Sequence, residues 1–315
     1  MNNHLGLAFS IEHITYAHFL QSNQDLILNQ LGTIPYPFSY EESAFFTTQN
    51  IHPLSNAIQS EINTLGIVNP EISISIEANL PRMKRVLMPK NMEQKSLTTH
   101  VEWDLQQSLF EPLDYYMYLI TENSIESKNI MDTLVIAIKK KIIEFYKKII
   151  RTCGYKLTNL GIHHLATELC FRNSYREENS GLYIIFKIST NRIETIYLWN
   201  GNYYLSNYER LELKQPHRKF EDIIMDRVAT AIKSGENLFE EIGKMPITIS
   251  KIYIYGNGIS DELFTQIKKN VSNPVEKFNP FRNLKIMDAI KLDGQSTQFV
   301  ECIGIPLDLQ TGEEV

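Results

Sequence analysis

The chain has 315 residues, 31 of them basic and 37 acidic, for a net charge of −6. That length allows two domains with cores of their own, and the mild acidity, offset by no basic stripe, argues against nucleic acid as a partner. No run approaches the ~20 apolar residues of a membrane span. The cysteines, Cys153, Cys170 and Cys302, stand far apart with no C-x-x-C, so neither a zinc site nor a disulfide framework is indicated.

In chain order, Leu5 to Ser10, His13 to Leu20 and Leu26 to Ile34 read as three strands joined by short turns, a meander. Leu54, Ile58, Ile62 and Leu65 have helical spacing, and Gly66 stops that helix. Ile72, Ile74 and Ile76 alternate along a strand from Glu71 to Glu77. The next stretch mixes strands at 82–88, 115–121 and 130–139 with a helix at 94–110, whose stripe is Leu97, Val101, Leu105 and Leu109. A helix from Lys140 to Cys153 follows, its lysines forming a solvated face, and Gly154 caps it. A strand at 157–163 and a helix at 165–171 close this part.

A second meander then begins. Strands are expected at 182–189, 194–199 and 203–213, with Asn200-Gly201 as a hairpin turn whose two positions both need φ > 0. A long helix covers 220–242. The stretch KIYIYGNGISDELFTQIKKNVSNPVEKFNPF reads as strand, glycine turn, helix and strand, with Leu263, Ile267 and Val271 on one helix face. Gln298 to Ile305 is a last helix, and the tail is acidic.

Meander, helix and strand thus occur twice, at 5–77 and 182–256, which points to two similar lobes around a cleft. The order, with HLGLAFSIEHITYAHF, VEWDLQQSLFEPLDYYMYLI and IYIYGNG…NPVEKFNPF…FVECIGIPL, resembles the PilM family of type IV pilus proteins, in the FtsA/PilM branch of the actin-like ATPase superfamily. The resemblance implies an α/β, actin-like (ribonuclease H-like) fold. Residues 1–78 and 157–178 would form the first lobe, 79–156 an inserted α+β subdomain, and 179–315 the second lobe, with its extra small subdomain reduced or lost.

The chain departs from the superfamily where the nucleotide is held. Actin-like ATPases bind Mg²⁺ and phosphates with an Asp-x-Gly hairpin in each lobe, because the carboxylate organises the metal's water shell and glycine admits the phosphate to backbone N–H groups. The matching triplets here are Ala8-Phe9-Ser10 and Lys187-Ile188-Ser189. Ala8, Ser10, Lys187, Ser189, Gly256 and Gly258 are therefore expected to mark a degenerate nucleotide cleft, with no catalytic residue, no metal and no cofactor. Without the metal carboxylate, hydrolysis lacks its main charge-stabilising group. His163-His164 has no third ligand spaced for a metal.

The resemblance implies a cytoplasmic scaffold of a pilus or secretion apparatus. Its groove between the first lobe and residues 79–156 would take the short cytoplasmic peptide of a PilN-like inner-membrane protein. The opening MNNHLGLAFS has neither the basic leader nor the apolar core of a signal peptide, and the acidic tail lacks the basic, amphipathic character of a membrane-binding helix. Cytoplasmic placement, peripheral at the inner membrane through the partner, is the expectation. Self-association stays open. The alternative is an active ATPase or small-molecule kinase with displaced ligands, which would need an acid elsewhere at the cleft floor.

Overall fold

The computed structural model describes residues 2–22, 25–126, 130–211, 219–238, 247–287 and 296–308. The first lobe opens with β1 (Asn2–Phe9), β2 (His13–Ser22) and β3 (Asp25–Pro35), each antiparallel to the next. A short α1 (Glu42–Phe45) and α2 (Ile51–Thr64) lead to β4 (Glu71–Ile76), which pairs parallel to β1. The chain then builds a separate three-stranded sheet from β5 (Arg82–Pro89), β6 (Tyr116–Glu126) and β7 (Ile130–Lys139), in the order β5-β7-β6, with α3 (Gln94–Ser108) on one face. Leu97, Val101 and Leu105 of α3 bury against Val86, Met88, Val135 and Ala137, as their four-residue spacing requires.

β7 runs directly into α4 (Lys140–Thr152), whose Ile142, Phe145, Tyr146, Ile149 and Ile150 join the core under α2. Lys140, Lys141 and Lys148 stay exposed on its other side. β8 (Lys156–Ile162) adds parallel to β4, and α5 (His163–Ser174) follows.

The second lobe repeats the plan with β9 (Leu182–Ser189), β10 (Arg192–Trp199) and β11 (Asn202–Arg210). Asn200 and Gly201 have φ of 53° and 78°, the left-handed pair that a type I′ hairpin demands. One helix, α6 (Phe220–Glu236), occupies the described residues between β11 and β12 (Ile249–Tyr255). In α7 (Asp261–Asn270) the Ser260 hydroxyl accepts from Leu263 N at 3.1 Å; acids fill the first turn and Lys268 and Lys269 the last. Val271, expected on the helix face, lies just past its end because the chain turns toward β13 (Val275–Lys277).

The two large sheets share one strand order. The first reads β3-β2-β1-β4-β8 and the second β11-β10-β9-β12-β13. The first gains one more strand, β14 (Lys285–Ile286), which pairs parallel to β3 at Ile27 and Leu28. A 3₁₀ turn (Ser296–Phe299) and α8 (Val300–Leu307) follow. Every residue of α8 is buried, against β1 and β4 on one side and α5 on the other. The last helix thus begins as a tighter turn than the sequence pattern suggests. Residues 212 and 213 of the third expected strand, 239–242 of the long helix and the acidic tail past 308 lie outside the described residues.

Candidate functional site

The cleft between the lobes is floored by the two hairpins. In the first, Ser10 spends its hydroxyl locally: Oγ donates to the His13 carbonyl at 2.7 Å and accepts from the backbone of Glu12 and His13. In the second, Ser189 is buried at the end of β9. Gly256 closes β12 at φ +117°, and a Cβ there would overlap the Ile188 carbonyl, so the turn admits no other residue without rearrangement. Gly258 donates its N–H to that carbonyl at 3.0 Å. Ala8, Ser10, Lys187, Ser189 and Gly256 line one cavity, and Gly258 lies behind Ser189.

Charged side chains fill this floor. Lys187 is buried; its ammonium lies 2.6 Å from Glu301 of α8, 3.8 Å from Glu194 of β10 and 3.4 Å from His163 Nδ1. Arg192, at the start of β10, reaches across the cleft to Glu77 at the end of β4, with Nη1–Oε2 of 2.9 Å and Nη2–Oε1 of 3.1 Å. The Ile11 N–H of the first hairpin donates to the same carboxylate at 3.1 Å. Glu194 lies 3.2 Å from Arg192 Nε, a Coulombic contact whose angles make no hydrogen bond, and 2.8 Å from His164 Nε2. His164 Nδ1 meets Ser206 Oγ at 2.7 Å. Glu301 accepts from the Tyr255 hydroxyl at 2.9 Å, and Asn257 donates to Glu12 at 2.9 Å across the mouth.

The electrostatics follow from burial and sign. Burial pushes Glu77 up to about 7, against the pull of Arg192 and Lys187. Burial would also raise Glu194, but Lys187, His164 and Arg192 outweigh it and hold the carboxyl below its usual range. Burial would lower Lys187, yet Glu194 and Glu301 hold its ammonium above the usual value. Burial and the neighbouring Lys187 keep the His163 imidazole neutral, and its Nε2 is buried with no hydrogen-bond partner.

This donor set does not suit a magnesium nucleotide. Each buried carboxylate is already committed to Arg192 or Lys187. The remaining cavity is about 50 Å³, whereas small-molecule sites run to roughly 300–1,000 Å³. It is the size for a few waters. Among the described residues no group of three or more His, Cys, Asp or Glu is arranged to hold a metal ion.

Sequence reasoning named Lys187 but missed its partners. Glu77, Arg192, Glu194 and Glu301 each interrupt an apolar run, in EISISIEA, RIETIYLW and FVECIGIPL. An ionisable residue inside such a run is a buried charge seeking a partner, and that was the available signal. Of the tyrosines on and beside the inserted sheet, Tyr116, Tyr203 and Tyr204 are buried and Tyr115 is exposed.

No protein-family model matches the sequence, and no curated protein does. Solved structures match its fold. A PilM–PilN type IV pilus biogenesis complex aligns with TM-score 0.72 and 14% identity, over 97% of this chain and 98% of that one. The cytoplasmic domain of EpsL, an inner-membrane component of the type II secretion system of Vibrio cholerae, aligns with TM-score 0.52 and 8% identity over 100% and 97%. A Bacteroides thetaiotaomicron protein of unknown function with an actin-like ATPase fold gives 0.52 and 11% over 99% and 96%. With two sheets in one strand order and a third inserted between β4 and β8 of the first, the chain has the actin-like fold.

Proposed function

We propose that the protein is a scaffold of a pilus or secretion apparatus that does not hydrolyse ATP and that takes a short peptide from an inner-membrane partner. The observation that carries the first half is the cleft floor: internal ion pairs stand where the fold places metal carboxylates and phosphates. Calorimetric titration with Mg-ATP tests it. No binding heat is expected, and clear Mg-dependent micromolar binding would overturn it.

The second half draws on the fold shared with PilM, solved with PilN, and on the inserted sheet. Met117 and Leu119, 51% and 47% exposed, pair across β6–β7 with Ile138 and Ile136. Ile138 packs against the first lobe's core cluster and Ile136 belongs to the core that both lobes share, so this face runs from the cleft side onto the first lobe. Exposed apolar residues beside a groove suit an extended peptide. No helix of the described residues is long and apolar enough to cross a membrane, which fits recruitment through a partner. A photo-crosslinker at position 119 is expected to capture the N-terminal segment of an inner-membrane protein, and one at Asn63 on α2 is not.

The alternative, an ATPase or kinase with displaced ligands, draws on Glu12, an exposed acid at the cleft mouth. ATP hydrolysis that disappears in Glu12→Gln would favour it over the scaffold.

A further inference from the structure

The inserted sheet has a foot in each lobe. On one side Arg85 of β5 donates to the carbonyls of Tyr204 at 2.8 Å and Tyr203 at 3.1 Å in β11, and the Tyr204 hydroxyl donates to Asp132 of β7 at 2.8 Å. On the other side β7 continues into α4, and the Ser55 hydroxyl of α2 donates to the Ile149 carbonyl of α4 at 3.0 Å. A rotation of one lobe against the other therefore moves the inserted sheet relative to at least one of them. The space between that sheet and the first lobe changes shape with it.

The lobes share an apolar core, and beside it charges at the cleft floor also join them. Glu77 belongs to the first sheet and Arg192 to the second. Lys187 belongs to the second sheet, and Glu301 to α8, which lies against the first. Apolar contacts tolerate sliding, whereas a two-pronged arginine–carboxylate pair accepts one geometry. A buried pair is also costly to separate by half, because either charge alone is stranded. Such a contact favours two discrete states, shut or open, over a continuum.

We propose that Glu77–Arg192 and Lys187–Glu301 form a latch between the lobes, built from the chain's own side chains. It holds the cleft shut without a ligand, and the shut angle sets the shape of the groove beside the inserted sheet. The latch is a property of the chain alone and does not depend on a peptide binding that groove.

Spin labels test it on the full chain. Asn63→Cys on α2 and Gln266→Cys on α7 are both exposed positions, one per lobe. Cys153, Cys170 and Cys302 are buried and do not compete for label. Electron–electron double resonance on the otherwise native protein is expected to give one narrow interlobe distance. In Glu77→Gln/Arg192→Gln, Glu194 keeps Lys187 and His164, so no acid is left without a partner. That variant is expected to shift to longer, broader distances. Hydrogen exchange at 82–88 and 203–205, at the far end of the β10–β11 hairpin from Arg192, is expected to rise several-fold. Unchanged distances and exchange in a cooperatively melting double variant would overturn the latch. Should that variant not fold, Glu301→Gln removes one charge and can keep its bond with Tyr255; an unchanged distance distribution there overturns it equally.

Discussion

Arg192 and Glu77 stand 115 positions apart in the chain and meet through two hydrogen bonds of 2.9 and 3.1 Å. Each comes from a different lobe, and neither has water to fall back on. Replacing Arg192 by Ala leaves two buried carboxylates short of a partner, a loss of about 3–5 kcal/mol. Replacing both partners, as Glu77→Leu/Arg192→Met, is expected to cost at least about 2 kcal/mol less than the single change. Urea unfolding of the three proteins checks this ordering.

Relative to Glu77→Gln, the native protein should lose stability from pH 6 to pH 8.5. Glu77 faces Arg192, Lys187 and Glu194, with the phenols of Tyr36, Tyr146 and Tyr208 also nearby. Burial raises its carboxyl from 4.5 to about 7. The folded state therefore holds a proton that the unfolded chain releases, and that stability, full below 4.5, is lost as pH rises through 7. The limiting slope is about 1 kcal/mol per pH unit. Glu194 works in the opposite sense: its carboxyl is depressed, so its contribution is present above the ordinary carboxylate value and is lost as pH falls. Urea unfolding of both proteins across this range is expected to show their stability difference shrinking in that sense, since Glu168 and the buried His4 and His163 titrate alike in the two.

Arg85 ties the inserted sheet to the second lobe through the carbonyls of Tyr203 and Tyr204, and it also holds the Asp132 carbonyl of its own sheet. Arg85→Ala is expected to cost about 2–3 kcal/mol, since hydrogen bonds from a charged donor are the stronger kind. Tyr204→Phe removes the bond to Asp132 but keeps a ring under the Arg85 guanidinium, and should cost about half as much. Thermal unfolding ranks the two.

The cysteines should be inert in the folded protein. All three are buried, and burial pushes Cys153 up to about 11 and the Cys170 and Cys302 thiols higher still. A thiol-reactive chromogen is expected to register no fast-reacting group at pH 8, and three once urea unfolds the chain.

Gly256→Ala places a methyl against the Ile188 carbonyl at a positive φ. A loss of about 1–3 kcal/mol is expected, with β9 and β12 forced apart next to their last pair, Lys187 and Tyr255. Differential scanning calorimetry reads the change, and Gly66→Ala, with open space around it, serves as a control for the φ contribution alone.

The strands were legible because a half-buried sheet writes its alternation into the chain, as in Ile72, Ile74 and Ile76, and because Asn200-Gly201 allows few conformations. Ala8, Ser10, Lys187 and Ser189 of the triplets at 8–10 and 187–189 do line one cavity. The charges that fill it were not legible. Local pattern says that Glu77 and Arg192 are charges in apolar surroundings, but partnership over that separation is a tertiary fact. β14 was invisible for a related reason: two residues carry no period, and Lys285–Ile286 is a strand only because β3 offers an open edge.

The burial of α8 against β1 has a consequence for synthesis. The amino-terminal sheet cannot cover Gly6 and Gly161 until Cys302, Ile305 and Pro306 have been made. The first lobe is therefore the last to be finished on the ribosome, and a chain released short of Leu307 would present the middle of its oldest sheet to solvent.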